Sequence, residues 1–201
     1  MTAAIIRQQR KIVSEKKIPE CLIYEMADDL PIYYRGYEEV IKGRKQTEEI
    51  MGSSFIQSLI ISRLFRFLIG ELPEMYEILT NEIGLWFSKN SWRAADIAIY
   101  PKEKLKGIPL HNKYLDIPPK VVIEVDTKAD LDKFTASADY YHKKTDALLM
   151  FGVEKIIWIF TDSRKVMIAE SGKIGLSATG IPSFGSLTIS WSILRRYFRY
   201  E

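Results

Sequence analysis

A chain of 201 residues that is 47% hydrophobic is long enough to bury one well-formed core, and its eleven tyrosines, nine phenylalanines and four tryptophans exclude a disordered protein. Charge is nearly balanced, 29 basic against 26 acidic side chains, and the formal net charge of +3 permits a nucleic-acid partner without requiring one. The single cysteine, Cys21, excludes a disulfide framework and a thiolate metal cage.

Residues 1–20 are polar and read as a lead-in; 1–18 lack the apolar core and small-residue cleavage site of a signal peptide. A reducing, cytoplasmic setting is the default expectation. A short helix within 33–43 should close at Gly43, and 44–51 reads as an edge strand. Ser53 or Ser54 then caps a helix over 54–69 whose apolar side is Phe55, Leu59, Ile60, Leu64, Phe67 and Leu68. This most apolar stretch is too short to span a bilayer and contains Arg63 and Arg66.

Strands are expected at 77–80 and 83–88, then a turn at 89–91 and a strand over 92–100. Residues 101–119 form one long connection of the kind that often covers a site. Its Pro118-Pro119 pair leads into a strand at 120–126. After a polar stretch come a helix at 138–151 ended by Gly152, and a hairpin of 154–160 and 164–170. A loop-rich segment, a strand at 187–189 and an amphipathic helix at 191–199 complete the chain. Basic clusters near residues 7–11 and 195–199 read as solvated tails. The order implies a single α/β (α+β) domain over 1–201, a mixed sheet flanked by helices.

Two strands carry carboxylates inside apolar runs: Asp96 in Ala94-Ala95-Asp96-Ile97-Ala98-Ile99, and Glu124 in Val121-Val122-Ile123-Glu124-Val125. Burying an unpaired carboxylate costs several kcal/mol, on the order of that for any ion removed from water, unless it is neutralised or holds a metal. A divalent-cation site is the resulting hypothesis. On an extended strand Glu124 and Asp126 share a face, which makes Asp126 a further ligand candidate.

Carboxylate-held metals beside a lysine are a common means of cleaving phosphodiesters. No lysine alternates with Glu124, so one must come from the helix at 138–151. At ~100° per residue, Tyr141, Thr145, Leu148 and Gly152 form the stripe that should face the sheet. Lys144 lies about 80° from its centre and Lys143 about opposite it, so spacing prefers Lys144.

At these residues the chain resembles the Uma-two family of restriction-endonuclease-like proteins, a branch of the PD-(D/E)XK nuclease superfamily. The matching pieces are Tyr37-Glu38-Glu39-Val40-Ile41-Lys42-Gly43; Arg93-Ala94-Ala95-Asp96-Ile97-Ala98; residues 118–125; Lys144 with Gly152-Val153; and Ile157-Trp158-Ile159-Phe160-Thr161-Asp162 with Arg164 and Val166, together covering about 30–190. The resemblance implies a restriction-endonuclease-like core and an endonuclease using Mg²⁺ or Mn²⁺ on nucleic acid, DNA first, in a homodimer. Asp96 and Glu124 would match the motif's acids, Lys144 its lysine carried on the following helix, and Glu38 or Glu49 an additional acid.

Three departures stand out. Ala95 replaces the proline before the first acid. Asp126 occupies the usual lysine place, and the longer stretch after Glu124 leaves Lys143 and Lys133 as substitutes for Lys144. Gln57 sits where a histidine is frequent. The alternative is a non-catalytic member of the fold that binds nucleic acid or protein. Asp96 read alone would cap a turn or pair with Arg93. His111 and His142 read as surface residues, and Trp86, Trp92, Trp158 and Trp191 as core.

Overall fold

The computed structural model describes residues 18–132, 134, 137–170, 173–175, 183–184 and 187–188. The predicted helix at 191–199, Trp191, Lys133 and both basic clusters lie outside the described residues. A 3-10 turn, Glu20–Leu22, leads into the hairpin of β1 (Ile23–Ala27) and β2 (Leu30–Tyr33). Short helices α1 (Tyr37–Ile41) and α2 (Glu48–Met51) precede the long α3 (Phe55–Glu71). A long hairpin of β3 (Tyr76–Ser88) and β4 (Ser91–Pro101) follows, then α4 (Lys102–Leu105) and β5 (Val121–Val125). Helix α5 (Ser137–Phe151), β6 (Lys155–Phe160), β7 (Lys165–Glu170) and β8 (Lys173–Gly175) extend the sheet, and β9 (Ser183–Phe184) with β10 (Leu187–Thr188) makes a separate hairpin.

Eight strands form one sheet in the order β2-β1-β4-β5-β6-β7-β8, with β3 paired to β4. Strands β5 and β6 run parallel with α5 as their crossover, and the neighbouring pairs are antiparallel. The mixed α/β architecture expected from the sequence is therefore present. Central β5 is buried at every position, as a strand covered on both faces must be.

Helix α3 starts where the Ser54 hydroxyl accepts the Gln57 amide at 3.2 Å. Its residues Ile60, Leu64 and Leu68 recur at four-residue spacing and pack on Ile97, Ile99, Val121, Ile123 and Val125. On the opposite face Tyr140 and Leu148 of α5 pack with Val122, Ile156 and Trp158. Gly152 closes α5 with φ +111°, a conformation that strains any residue with a Cβ, and a Cβ there would lie 3.1 Å from the Pro118 ring.

Several expectations are corrected. Residues 44–51 hold α2 instead of an edge strand, because the Glu49 carboxylate accepts the Gln46 amide at 2.6 Å and nucleates a turn. The strands predicted at 77–80 and 83–88 are one strand, β3, broken by a bulge at Asn81 and Glu82. Phe55 is 75% exposed and Trp86 40% exposed, so neither belongs to the core. The connection after β4 does not cover the predicted acids; Leu115 instead bridges to Leu85 along β3, with Tyr114 crossing Gly84.

Candidate functional site

One edge of β4 is shared between two neighbours. Near its start Trp92 pairs with Met26 of β1, and farther on Ile97, Ala98 and Ile99 pair with Ile123, Val122 and Val121 of β5. Between these ladders the backbone of residues 93–96 lacks a strand partner on this side. Buried peptide groups must still be satisfied, and here charged side chains do it. The Ala94 amide donates to Glu25 Oε1 at 3.2 Å, and Lys144 Nζ donates to the Ala94 carbonyl at 2.8 Å. The Asp96 carboxylate accepts the Val125 amide at 2.7 Å. The sheet forks, and ionisable groups fill the fork.

By continuation of the β4–β5 register, Asp96 stands opposite Glu124 where the two strands part. Lys144 enters from α5 with Nζ 2.7 Å from Glu25 Oε1 and 3.0 Å from Glu124 Oε1. The Glu124 contact is an ion pair by distance only, since Oε1 accepts no well-directed hydrogen bond. Tyr140 donates to Glu25 Oε2 at 3.0 Å, and the Arg93 guanidinium lies 3.8 Å from the same oxygen while donating to the Met26 and Trp92 carbonyls. Rings of Trp158 and Tyr24 flank the Lys144 ammonium at 5.5 and 5.8 Å.

These groups are almost fully withdrawn from solvent, with Lys144 and Glu124 each 1% exposed. Burial pushes the Glu124 carboxyl well above its ordinary range, with Lys144 opposing the shift. Burial works against charge on Lys144 too, but Glu124 and Glu25 outweigh it and hold the ammonium charged. Asp96 is raised to about 6, first by burial, with the Val125 amide and Lys144 pulling the other way. Such raised carboxyls in a concave site are a recognised mark of function, though structural ion clusters share it.

Asp96 faces an open hollow of about 480 Å³ bordered by Ser58, Ser62, Glu82 and Lys128. Gln57 of α3 donates to the Val125 carbonyl at 2.9 Å and to Asp96 Oδ1 at 3.4 Å. An adjoining hollow of about 550 Å³ is bordered by Arg35, Gln57, Asp126, Lys128 and Asp162.

Of the predicted residues, the fold joins Glu124 to Lys144 and sets Asp96 beside them. Asp126 does not share the Glu124 face: β5 ends at Val125, Asp126 turns to φ +56°, and its carboxylate takes the Thr161 amide at 2.9 Å and the Thr161 hydroxyl at 2.5 Å. Lys143 is exposed on α5, as helix spacing expected. Glu38 pairs with Lys42, Glu49 accepts the Gln46 amide, and neither enters the fork. Arg93 pairs with Glu25 and not with Asp96. His111 and His142 are exposed. Among the described residues no three His, Cys, Asp or Glu side chains form a ready-made ligand group.

Glu25 was missed. Its signal was the one that marked Asp96 and Glu124, an acid inside an apolar run, here Leu22-Ile23-Tyr24-Glu25-Met26-Ala27. Gln57, which carried no assigned role, is the side chain that ties α3 to Asp96.

No family model matches the chain, and no curated protein matches it significantly. Among solved structures it is similar to a "putative nuclease belonging to DUF820" from Anabaena variabilis ATCC 29413, with a TM-score of 0.61 and 14% identity, over 86% of this chain and 89% of that one. At that identity the likeness establishes the fold. Among the described residues no helix is long and apolar enough to cross a membrane.

Proposed function

We propose that the chain is a metal-dependent endonuclease that hydrolyses phosphodiester bonds of nucleic acid, with DNA as the first substrate to test. The observation that carries this reading is that Asp96 and Glu124 both stand where β4 and β5 part, with a charged lysine 3.0 Å from Glu124. The description of the structural neighbour as a nuclease supports it.

A Mg²⁺ or Mn²⁺ ion fits the donors present. Magnesium is commonly held by one or two carboxylates and keeps several waters, so Asp96 and Glu124 suffice without a third acid. Glu124 Oε1 accepts no directed hydrogen bond, although Lys144 Nζ lies 3.0 Å from it, so the oxygen that would meet a cation is held by charge alone. When bound, the cation would stabilise charge on the phosphoryl oxygens and acidify an attacking water. The chain's own groups do the positioning. Gln57 and the Val125 amide fix the Asp96 carboxylate, and Lys144 fixes Glu124 and opposes the upward pull of burial on its carboxyl. A homodimer would place two such sites for cutting both strands of a duplex.

A second reading is a non-catalytic member of the same fold that binds nucleic acid or protein. The observation favouring it is Asp126, which stands in the usual lysine place and accepts from the Thr161 amide and hydroxyl.

End-labelled duplex DNA, single-stranded DNA and RNA incubated with Mg²⁺ or Mn²⁺ separate the two. The nuclease reading expects cleavage that Asp96→Ala lowers by about 100-fold or more, the scale of losing one group that stabilises transition-state charge. Cleavage of no form, together with no Mg²⁺ heat of binding that Glu124→Ala abolishes, leaves the second reading.

A further inference from the structure

The cation seated deepest in the fork is poorly placed to meet a substrate. Three acceptor oxygens, from Glu25, Glu124 and Ala94, lie within 3.0 Å of Lys144 Nζ, and the residue is 1% exposed. An ammonium so surrounded holds its neighbours in place, with no edge left for a phosphate arriving from solvent.

The hollow that Asp96 faces has a different cation. Lys128, four residues beyond Glu124 in the chain, borders both that hollow and the adjoining one lined by Gln57 and Asp126. It therefore stands at their junction. Among the described residues Nζ has two partners, the Met51 carbonyl at 3.0 Å and the Glu82 carboxylate. A lysine ammonium has three donor protons, so one remains for a group in the groove.

Glu82 reaches Lys128 because of the bulge in β3. Thr80 pairs with Ile97 and Ile83 with Ala95, so Asn81 and Glu82 together oppose Asp96. Both have positive φ, 70° and 55°, a conformation costing roughly 1–2 kcal/mol per non-glycine residue. Bulges of this kind re-aim side chains and recur beside active sites. Here the re-aimed side chain is a carboxylate, 30% exposed, pinning the one lysine that both hollows share.

We propose that Lys128, restrained by Glu82, is the residue that contacts a phosphate of nucleic acid lying in this groove. The inference rests on the nuclease reading and assigns the phosphate contact to Lys128, leaving Lys144 to position Glu124. Glu82 is then a counter-ion that competes with the phosphate for the ammonium.

The test is binding of the full chain to a fluorescent DNA duplex of roughly 20 base pairs, without divalent cation, between about 50 and 200 mM salt. Lys128→Gln is expected to lower the slope of log affinity against log salt by about one, the signature of one lost phosphate contact, while Lys128→Arg retains it. Glu82→Gln is expected to tighten binding several-fold at low salt. That gain cannot come from misfolding, so it decides the matter even where Lys128→Gln is unstable. Wild-type binding whose slope is unchanged in Lys128→Gln, or which Glu82→Gln does not tighten, overturns the assignment, and Mg²⁺-dependent cleavage by the wild type then leaves the nuclease reading standing. A wild type that neither binds nor cleaves overturns both.

Discussion

The two sides of the β4 fork hold charge in opposite ways. On the α5 side Glu25, Lys144, Glu124 and Arg93 are sealed from water, and each is fixed by neighbours of opposite charge or by backbone. On the α3 side Asp96, Glu82 and Lys128 border open hollows and keep capacity for a ligand. Charge inside the fold is expensive and survives only as a closed set. Asp96 also carries a burial penalty, visible in its raised carboxyl, but it faces a hollow where a ligand can bind. The fork connects them, since Glu124 belongs to the sealed set and Asp96, its register neighbour, to the groove.

The largest effect that would break this contrast is in the sealed set. Lys144→Met leaves Glu25 and Glu124 buried without their shared counter-ion and removes the donor to Ala94, so a loss of about 3–5 kcal/mol is expected. Urea unfolding monitored by tryptophan fluorescence measures it. A loss below about 1 kcal/mol would mean that the cluster is wetter than its burial indicates.

Next in size is the pH dependence carried by Asp96. Its folded value of about 6 lies above the ordinary 3.8, so between those values the folded chain keeps a proton that the unfolded chain has released. Stability should therefore fall as pH rises through this window, by roughly 3 kcal/mol at most. Asp96→Asn should lose Asp96's share of that slope, leaving what Glu124 contributes, and Mg²⁺ should recover stability above pH 6 in the wild type but not in the variant. Thermal melts from pH 4 to 7 with and without Mg²⁺ make the comparison, and equal slopes in the two chains would contradict it.

The smallest effect concerns the groove's far rim. Thr161→Val removes the hydroxyl that Asp126 accepts but leaves the Thr161 amide in place. A cost of about 1 kcal/mol in unfolding free energy is expected. A larger loss would show that Asp126 organises more of the rim than one turn.

Much of the fold was legible in the residues. The Ser54 cap and four-residue spacing announced α3, the unbroken apolar run announced β5, and Gly152 announced the end of α5. Residues 44–51 misled because an edge strand and a short helix differ there by one local hydrogen bond, from the Gln46 amide to Glu49. The strand alternation that paired Asp126 with Glu124 failed because β5 stops one residue earlier and the backbone turns left-handed. Glu25 was as visible as Asp96, an acid amid apolar neighbours, but its partner lies 119 positions away at Lys144, beyond any local pattern.

By itself the sequence determined the long helix α3, the buried strand β5 and the end of α5, and that Asp96 and Glu124 need compensation, because periodicity and burial cost are local properties. Tertiary structure alone decided what supplies the compensation. Where β1 and β5 share one edge of β4, the gap exposes backbone groups of Ala94 that no strand can satisfy, and Glu25 and Lys144 converge there because side chains must. The same fork turns Asp96 toward a groove with Lys128, a juxtaposition set by sheet geometry and invisible to any pattern along the chain.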